Sequence, residues 1–344
     1  MIQILDSHIH LYPESELSTL AWCTPEHELA KQHSVDDYRA AASKAPLAGF
    51  IFVETDRKND LDSGEEGWRY PLMEVSWLKR IITAQPKPGE GHDEDKHASL
   101  CKAYIPWAPL PSGSEVMKQY IDRVFKEAGD SWEKVRGFRY LLQDKPAGTM
   151  LQDDFIESLK LLGRMKLVFE VGVDQHRRGR AQLEELVDMI DRAHDGVPEH
   201  EKVVFIINHM CKPDFAVYDT KDPKYIAWRS TIYTLSLCKQ VYMKLSGGFS
   251  EMDEGLRGRS VDYIVNAIGD YLTALLVTFG PERLMFGSDW PVCTVGMEIG
   301  SWDKWLQIIR RFLDLTNVSI EGQQMIFQGT ATIAYGLDLQ EDKN

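Results

Sequence analysis

Short apolar runs alternate along the chain with longer segments whose apolar residues recur every three or four positions. The first run opens at Ile2-Gln3-Ile4-Leu5 and leads into Asp6-Ser7-His8-Ile9-His10. Similar runs cover 48–54, 101–107, 135–142, 167–173, 203–209, 241–246 and 283–289. They have strand length, and several are near-continuously apolar, as in strands buried on both faces. The intervening spacing predicts helices over 35–44 (with Ser34 as N-cap), 67–84, 114–127, 153–163, 180–194, 225–238, 261–279 and 302–313. A last helical stretch, 320–337, is expected to pack on the outside.

Eight strand–helix alternations imply parallel strands with crossover helices. Count and length fit an α/β protein built as one (β/α)8 TIM barrel over residues 1–337, with a polar tail at 338–344. A doubly wound open sheet is the alternative. Residues 11–32 lack a period and read as a long loop after the first strand, a place where function often sits. Residues 85–97 are rich in Pro, Gly and charge and read as an exposed insertion, with His92 and His97 solvated.

Composition narrows the partners. With 39 basic and 53 acidic residues the formal charge is −14, which disfavours nucleic acid or an anionic membrane. A neutral substrate, or one whose product becomes anionic and must leave, fits better. The five cysteines form neither a CxxC pair nor a disulfide framework. No signal-like opening and no apolar run of membrane-spanning length stand out, so a cytoplasmic monomer or homodimer is expected. Neither GxGxxG after the first strand nor a P-loop is present, which disfavours a nucleotide enzyme.

In a barrel of this kind the site lies at the carboxyl ends of the strands. Those ends carry His8 and His10, Glu54, Arg139, Glu170 with Asp174 and His176 beyond it, Asn208 and His209, Lys244 and Ser246, then Ser288, Asp289 and Trp290. Alternation along a strand turns His8 and His10 to one side, an arrangement suited to holding a metal or to hydrogen bonding a substrate. Bland roles remain open for each: a satisfied core histidine for His209, a turn residue for Asp289, an outer ion pair for Arg139, a solvated helix start for His176. Glu170 is equally readable as a ligand, as a partner orienting an imidazole, or as an interior charge balanced by Arg139 or Lys244.

Several phrases together resemble the amidohydrolase superfamily: His8-Ile9-His10, Val135-Arg136-Gly137-Phe138-Arg139, Asn208-His209, Lys244-Leu245-Ser246-Gly247, and Phe286-Gly287-Ser288-Asp289-Trp290-Pro291. Within it the chain is similar to the branch of sugar-lactone hydrolases, as is its closing Gln328–Leu337 segment. The likeness runs over nearly the whole chain. It implies hydrolysis of an aldonolactone of the L-rhamnono-gamma-lactone type to the sugar acid. The dinuclear members' strand-four lysine and strand-five histidine are absent, so the resemblance implies one divalent metal, zinc, held by His8, His10, Asp289 and Glu170, or metal-independent activity.

Lactone hydrolysis needs an activated water, a stabilised oxyanion and a proton for the leaving alkoxide. Asp289 is the candidate base, with His209 as its catalytic partner. Arg139, Lys244, Trp22, His176, Trp290 and Tyr140 are candidate substrate contacts. A metal-dependent decarboxylase of the same superfamily and a non-catalytic carbohydrate-binding barrel are the competing readings.

Overall fold

The first strand is decided by what its side chains meet on either side. In the computed structural model, which describes residues 2–93, 97–297 and 300–338, β1 spans Ile4–Ile9 and every residue in it is buried. The other strands are β2 Leu47–Val53, β3 Cys101–Ile105, β4 Gly137–Arg139, β5 Val168–Val171, β6 Phe205–Ile207, β7 Val241–Leu245 and β8 Leu284–Phe286. All eight lie near their expected places, trimmed at the ends where backbone leaves the ladder to form site loops. The fold is α/β with parallel sheets: β1-β2-β3 form one and β4-β5-β6-β7-β8 the other. Isolated parallel bridges, Tyr104 with Val135 and Trp107 with Arg139, join β3 to the start and end of β4. Another joins Ile9, at the end of β1, to Trp290 beyond β8.

Each strand is followed by a helix: α1 Val35–Ala41, α2 Arg69–Ile82, α3 Ser114–Ala128, α4 Asp153–Arg164, α5 Arg180–His194, α6 Pro223–Ser236, α7 Val261–Phe279 and, after β8, α8 Ser301–Leu315. The predicted bounds of α5 and α7 are those observed. Ser34 precedes α1 as expected, and its backbone N–H donates to Asp37 at 2.9 Å. By length and composition alone α7 could cross a membrane, with a mean hydropathy of 1.2. The expectation that no such run exists is therefore corrected; Asp262 and Asp270 disguise it in the sequence. Here Ile264, Ile268, Leu272 and Leu275 are buried as α7 packs between α6 and α8.

Strand alternation splits the core in two. Phe50, Phe52, Tyr104, Phe169, Phe205, Ile207 and Phe286 face the helices. Their neighbours Leu5, Ile51, Ala103, Ile105, Val168, Ile206 and Met285 form a second cluster on the opposite face, completed by Ala331, Ala334, Tyr335 and Leu337. The C-terminal helical run does not pack on the outside as expected. It turns α at Ile320–Gln324, π at Met325–Gly329 and α at Thr330–Ala334, packs on β1 and β8, and covers that second cluster. Its apolar period announced a helix but not which surface it would cover. The 338–344 tail lies outside the described residues except for Asp338. His92 and His97 are also corrected, being buried rather than solvated. His92 sits 3.4 Å from Glu90, and His97 is 3.1 Å from Arg39 and 3.6 Å from Asp36.

One carboxylate joins the first strand to the last. Asp6, fully buried, accepts from the Ser288 N–H at 2.8 Å, the Trp302 indole at 2.9 Å, the Tyr38 hydroxyl at 3.0 Å and the His8 N–H at 3.3 Å. Asp6→Ala would leave buried donors unsatisfied, so its urea unfolding should show a loss of about 3 kcal/mol or more. A loss under about 1 kcal/mol, the net worth of one ordinary hydrogen bond, would contradict the assigned role.

Candidate active site

β1 is bulged where it matters: its register with β2 slips between Asp6 and Ile9, a distortion common beside active sites. His8 and His10 bring their Nε2 atoms to 3.2 Å. The His10 Nδ1 lies 2.9 Å from the Val53 carbonyl and 3.0 Å from that of Glu54. Carbonyls only accept, so Nδ1 carries the hydrogen and the Nε2 lone pair faces inward. Asp289 reaches them from beyond β8, with left-handed backbone (φ 61°) and its N–H donating to the His8 carbonyl at 2.9 Å. Its Oδ1 stands 3.7, 3.6 and 3.8 Å from Nε2 of His8, His10 and His209. This approach needs Gly287, where a Cβ would lie 2.9 Å from that of His8.

His209 arrives on an unusual turn. His209, Met210, Cys211 and Lys212 are four consecutive left-handed residues, with φ of 54°, 57°, 60° and 48°. None is glycine, and the conformation costs roughly 1–2 kcal/mol per residue. The surroundings over-determine it, as strained functional segments require. Trp228 Nε1 donates to the Met210 carbonyl at 2.8 Å, the His176 N–H to that of Lys212 at 2.9 Å, and the Lys212 N–H to that of His209 at 2.7 Å. The turn sets the His209 ring 4.5 Å from that of His8, with Nδ1 2.9 Å from the Ser246 hydroxyl. Gly247 makes room, since a Cβ there would lie 2.5 Å from His209 Nδ1.

Beneath the histidines lies a closed ionic layer. Lys244 donates to both oxygens of Glu170 at 2.8 Å and stands 3.1 Å from His8 Nδ1, while the Tyr335 hydroxyl donates to Glu170 from the C-terminal segment. Burial pulls Lys244 down to about 8 against the pull of Glu170. Burial, then the Lys244 charge, holds His8 well below the usual imidazole range. Glu170 approaches His8 on its Nδ1 side at 3.7 Å, across the ring from the nitrogen that faces His10 and Asp289. The group that converges is His8, His10 and Asp289; Glu170 stands outside it.

Above them opens a cavity of ≈ 490 Å³. His10, His209 and Asp289 line it, with Trp22, Arg139, Lys212 and Asp56 among its walls. Trp22 is fixed by its indole N–H donating to the Thr55 carbonyl at 2.8 Å. Arg139 donates through Nε to Glu54 Oε1 at 2.6 Å and through Nη2 to the Glu54 carbonyl at 2.7 Å. Four expected substrate contacts do not line it. Lys244 is fully buried in the layer below. Tyr140 packs with Trp107 and Phe155, and Trp290 with His33 and Tyr38. His176 is taken by Glu251 at 2.8 Å and Asp214 at 3.5 Å. Their place at or just past strand ends suggested them, but did not fix how deep they lie or which way they turn. Sequence reasoning missed Lys212 and Asp56, which sit on loops just past strand ends rather than in the strands.

Burial lowers His209 to about 3. Burial, with Glu54 beside it, raises Asp56 to about 6. Burial also works to raise Asp289, but His209, His10 and Lys212 outweigh it and hold the carboxyl below its ordinary value. The floor thus presents an ionised carboxylate against imidazoles, able to take a proton from a water in the cavity.

The His8, His10 and Asp289 atoms also fit a metal ion. With edges of 3.2, 3.7 and 3.6 Å, a point equidistant from the three atoms is about 2.0 Å from each, the bond length of zinc to nitrogen or oxygen.

The family model described as Amidohydrolase matches residues 105–337. The L-rhamnono-gamma-lactonase of Scheffersomyces stipitis is 30% identical over 97% of this chain and 99% of its own length. The chain belongs to the amidohydrolase family. A second relative of this amidohydrolase, the L-fucono-1,5-lactonase of Burkholderia multivorans, is 29% identical over 78% of the chain and 84% of its own length. Among solved structures, an amidohydrolase from Burkholderia multivorans with bound zinc superposes with a TM-score of 0.70 at 24% identity, covering 98% of this chain and all of that one.

Metal titration of the purified amidohydrolase should give one equivalent of a divalent ion, retained in His209→Ala and lost in both His10→Ala and Asp289→Asn. Retention in His10→Ala would contradict the three-residue assignment.

Proposed function

We propose that this hydrolase opens a sugar-derived aldonolactone of the L-rhamnono-gamma-lactone type to its sugar acid, with Asp289 as the base. The observation that carries the reading is the Asp289 carboxylate, held ionised among the imidazoles of His8, His10 and His209 on the floor of a cavity with room for a sugar lactone. The two lactonase relatives support the substrate class.

Asp289 takes a proton from water as its oxygen attacks the lactone carbonyl carbon. With the Ser246 hydroxyl donating to Nδ1, the His209 Nε2–H faces the cavity and donates to the carbonyl oxygen as negative charge gathers there. The ring C–O bond then breaks and Asp289 returns its proton to the departing alkoxide. The Trp22 indole offers an apolar face to the sugar ring, and Arg139 and Asp56 offer groups for its hydroxyls.

His8, His10 and Asp289 would hold one divalent ion, for which zinc is our proposal, supported by the zinc-bearing neighbour. Such an ion supplies positive charge that polarises oxygen at the reacting centre. We also infer that the two sheets form one (β/α)8 barrel and that residues 1–337 are a single domain. The parallel bridges flanking β4 and joining β1 to β8 support this. A cytoplasmic setting, without nucleic acid or membrane partners, matches the net charge of −14.

A panel of aldonolactones followed by acid release tests the function. L-rhamnono-gamma-lactone or a close stereoisomer should be turned over, and Asp289→Asn should cost about 10²–10⁴ in rate. Failure on every lactone, or carbon dioxide release from an aromatic acid in its place, would overturn the reading.

A further inference from the structure

Three cationic side chains line the cavity: Arg139, Arg257 and Lys212. Arg139 is held by Glu54 through two donors. Arg257 donates to the Val295 carbonyl at 3.1 Å. Among the described residues, the Lys212 ammonium has neither a hydrogen-bond nor an ion-pair partner. It is not a stray surface lysine. Its backbone is the last residue of the four-residue left-handed turn, anchored through the Trp228 and His176 contacts, and the same turn delivers His209.

The chemistry proposed for the cavity gives such a cation a use. A lactone is neutral, so its ground state offers Lys212 no charge to pair with. Negative charge appears on the carbonyl oxygen as water adds, and it ends as the carboxylate of the product. A cation carried on a fixed backbone and without a protein partner interacts more strongly with that transition state than with the substrate, which is what accelerates a reaction. Lys212 is also near enough to Asp289 and His209 for its charge to act on both.

We infer that Lys212 is a further catalytic residue, the cation that meets the developing oxyanion and then the product carboxylate. The inference rests on the lactonase reading above. It gives Lys212 a substrate contact where the sequence had suggested one for Lys244, which is sealed below the cavity.

Calorimetry on the full chain, with two probes, separates a charge-reading role from a structural one. The probes are the sugar acid and the neutral alditol with the same hydroxyl pattern. Lys212→Gln should weaken acid binding by about tenfold or more, leave alditol binding unchanged, and lower kcat by about 10²-fold. Lys212→Arg should restore most of the preference for acid over alditol. Equal acid affinity in wild type and Lys212→Gln, or equal weakening of acid and alditol, would overturn the inference. Should Lys212→Gln not fold, Lys212→Arg carries the test: loss of the acid preference while alditol still binds contradicts it. If wild type opens no lactone, the function fails instead, and the binding comparison still reports on Lys212.

Discussion

The site depends on the closure of β8 against β1, and a buried carboxylate makes that closure specific. Asp6 gathers donors from Ser288, Tyr38, Trp302 and its own strand at His8. Burial pushes its pKa up while Ser288, Trp302 and Tyr38 oppose the shift. Residues 8 and 289 thereby come within hydrogen-bonding and ligand-forming range although nearly the whole chain lies between them. The bulge in β1, Gly287 and the left-handed Asp289 are local adjustments that let the two strand ends meet without collision.

Charge inside the fold is arranged in layers. Glu170, Lys244 and Tyr335 satisfy one another under His8. Removing one member would strand a buried charge, which is far costlier than the pair's net contribution to stability. Glu54 and Arg139 form a second pair, with Arg139 at the cavity wall. Outside these pairs, the groups that face the cavity include Asp289, the imidazoles of His10 and His209, and Lys212. The strained His209–Lys212 turn belongs to this upper layer, where preorganisation outweighs the local cost.

Much of this was legible in the sequence. The apolar periods located eight strands and the helices between them, and the polar residues at the strand ends named His8, His10, Arg139, His209 and Asp289, all of which surround one center. What was not legible depended on depth and on backbone handedness. Strand-end position named Lys244 and Glu170 as candidates, but nothing told that a C-terminal tyrosine would seal them below the cavity. No glycine marks the left-handed turn, so Lys212 went unnoticed. Trp290 and Tyr140 are aromatic residues at the right strand ends, yet their rings turn into the packing around Tyr38 and Phe155. His92 and His97 sit in a segment of surface-like composition but are covered by Glu90, Arg39 and Asp36.

The most direct test of the central claim is a crystal structure with the product sugar acid bound. The account predicts the carboxylate on the cavity floor, within hydrogen-bonding reach of His209 and Lys212 and beside Asp289, with the hydroxyls toward Trp22 and Arg139. A carboxylate bound away from Asp289, with the sugar hydroxyls on the floor in its place, would contradict it.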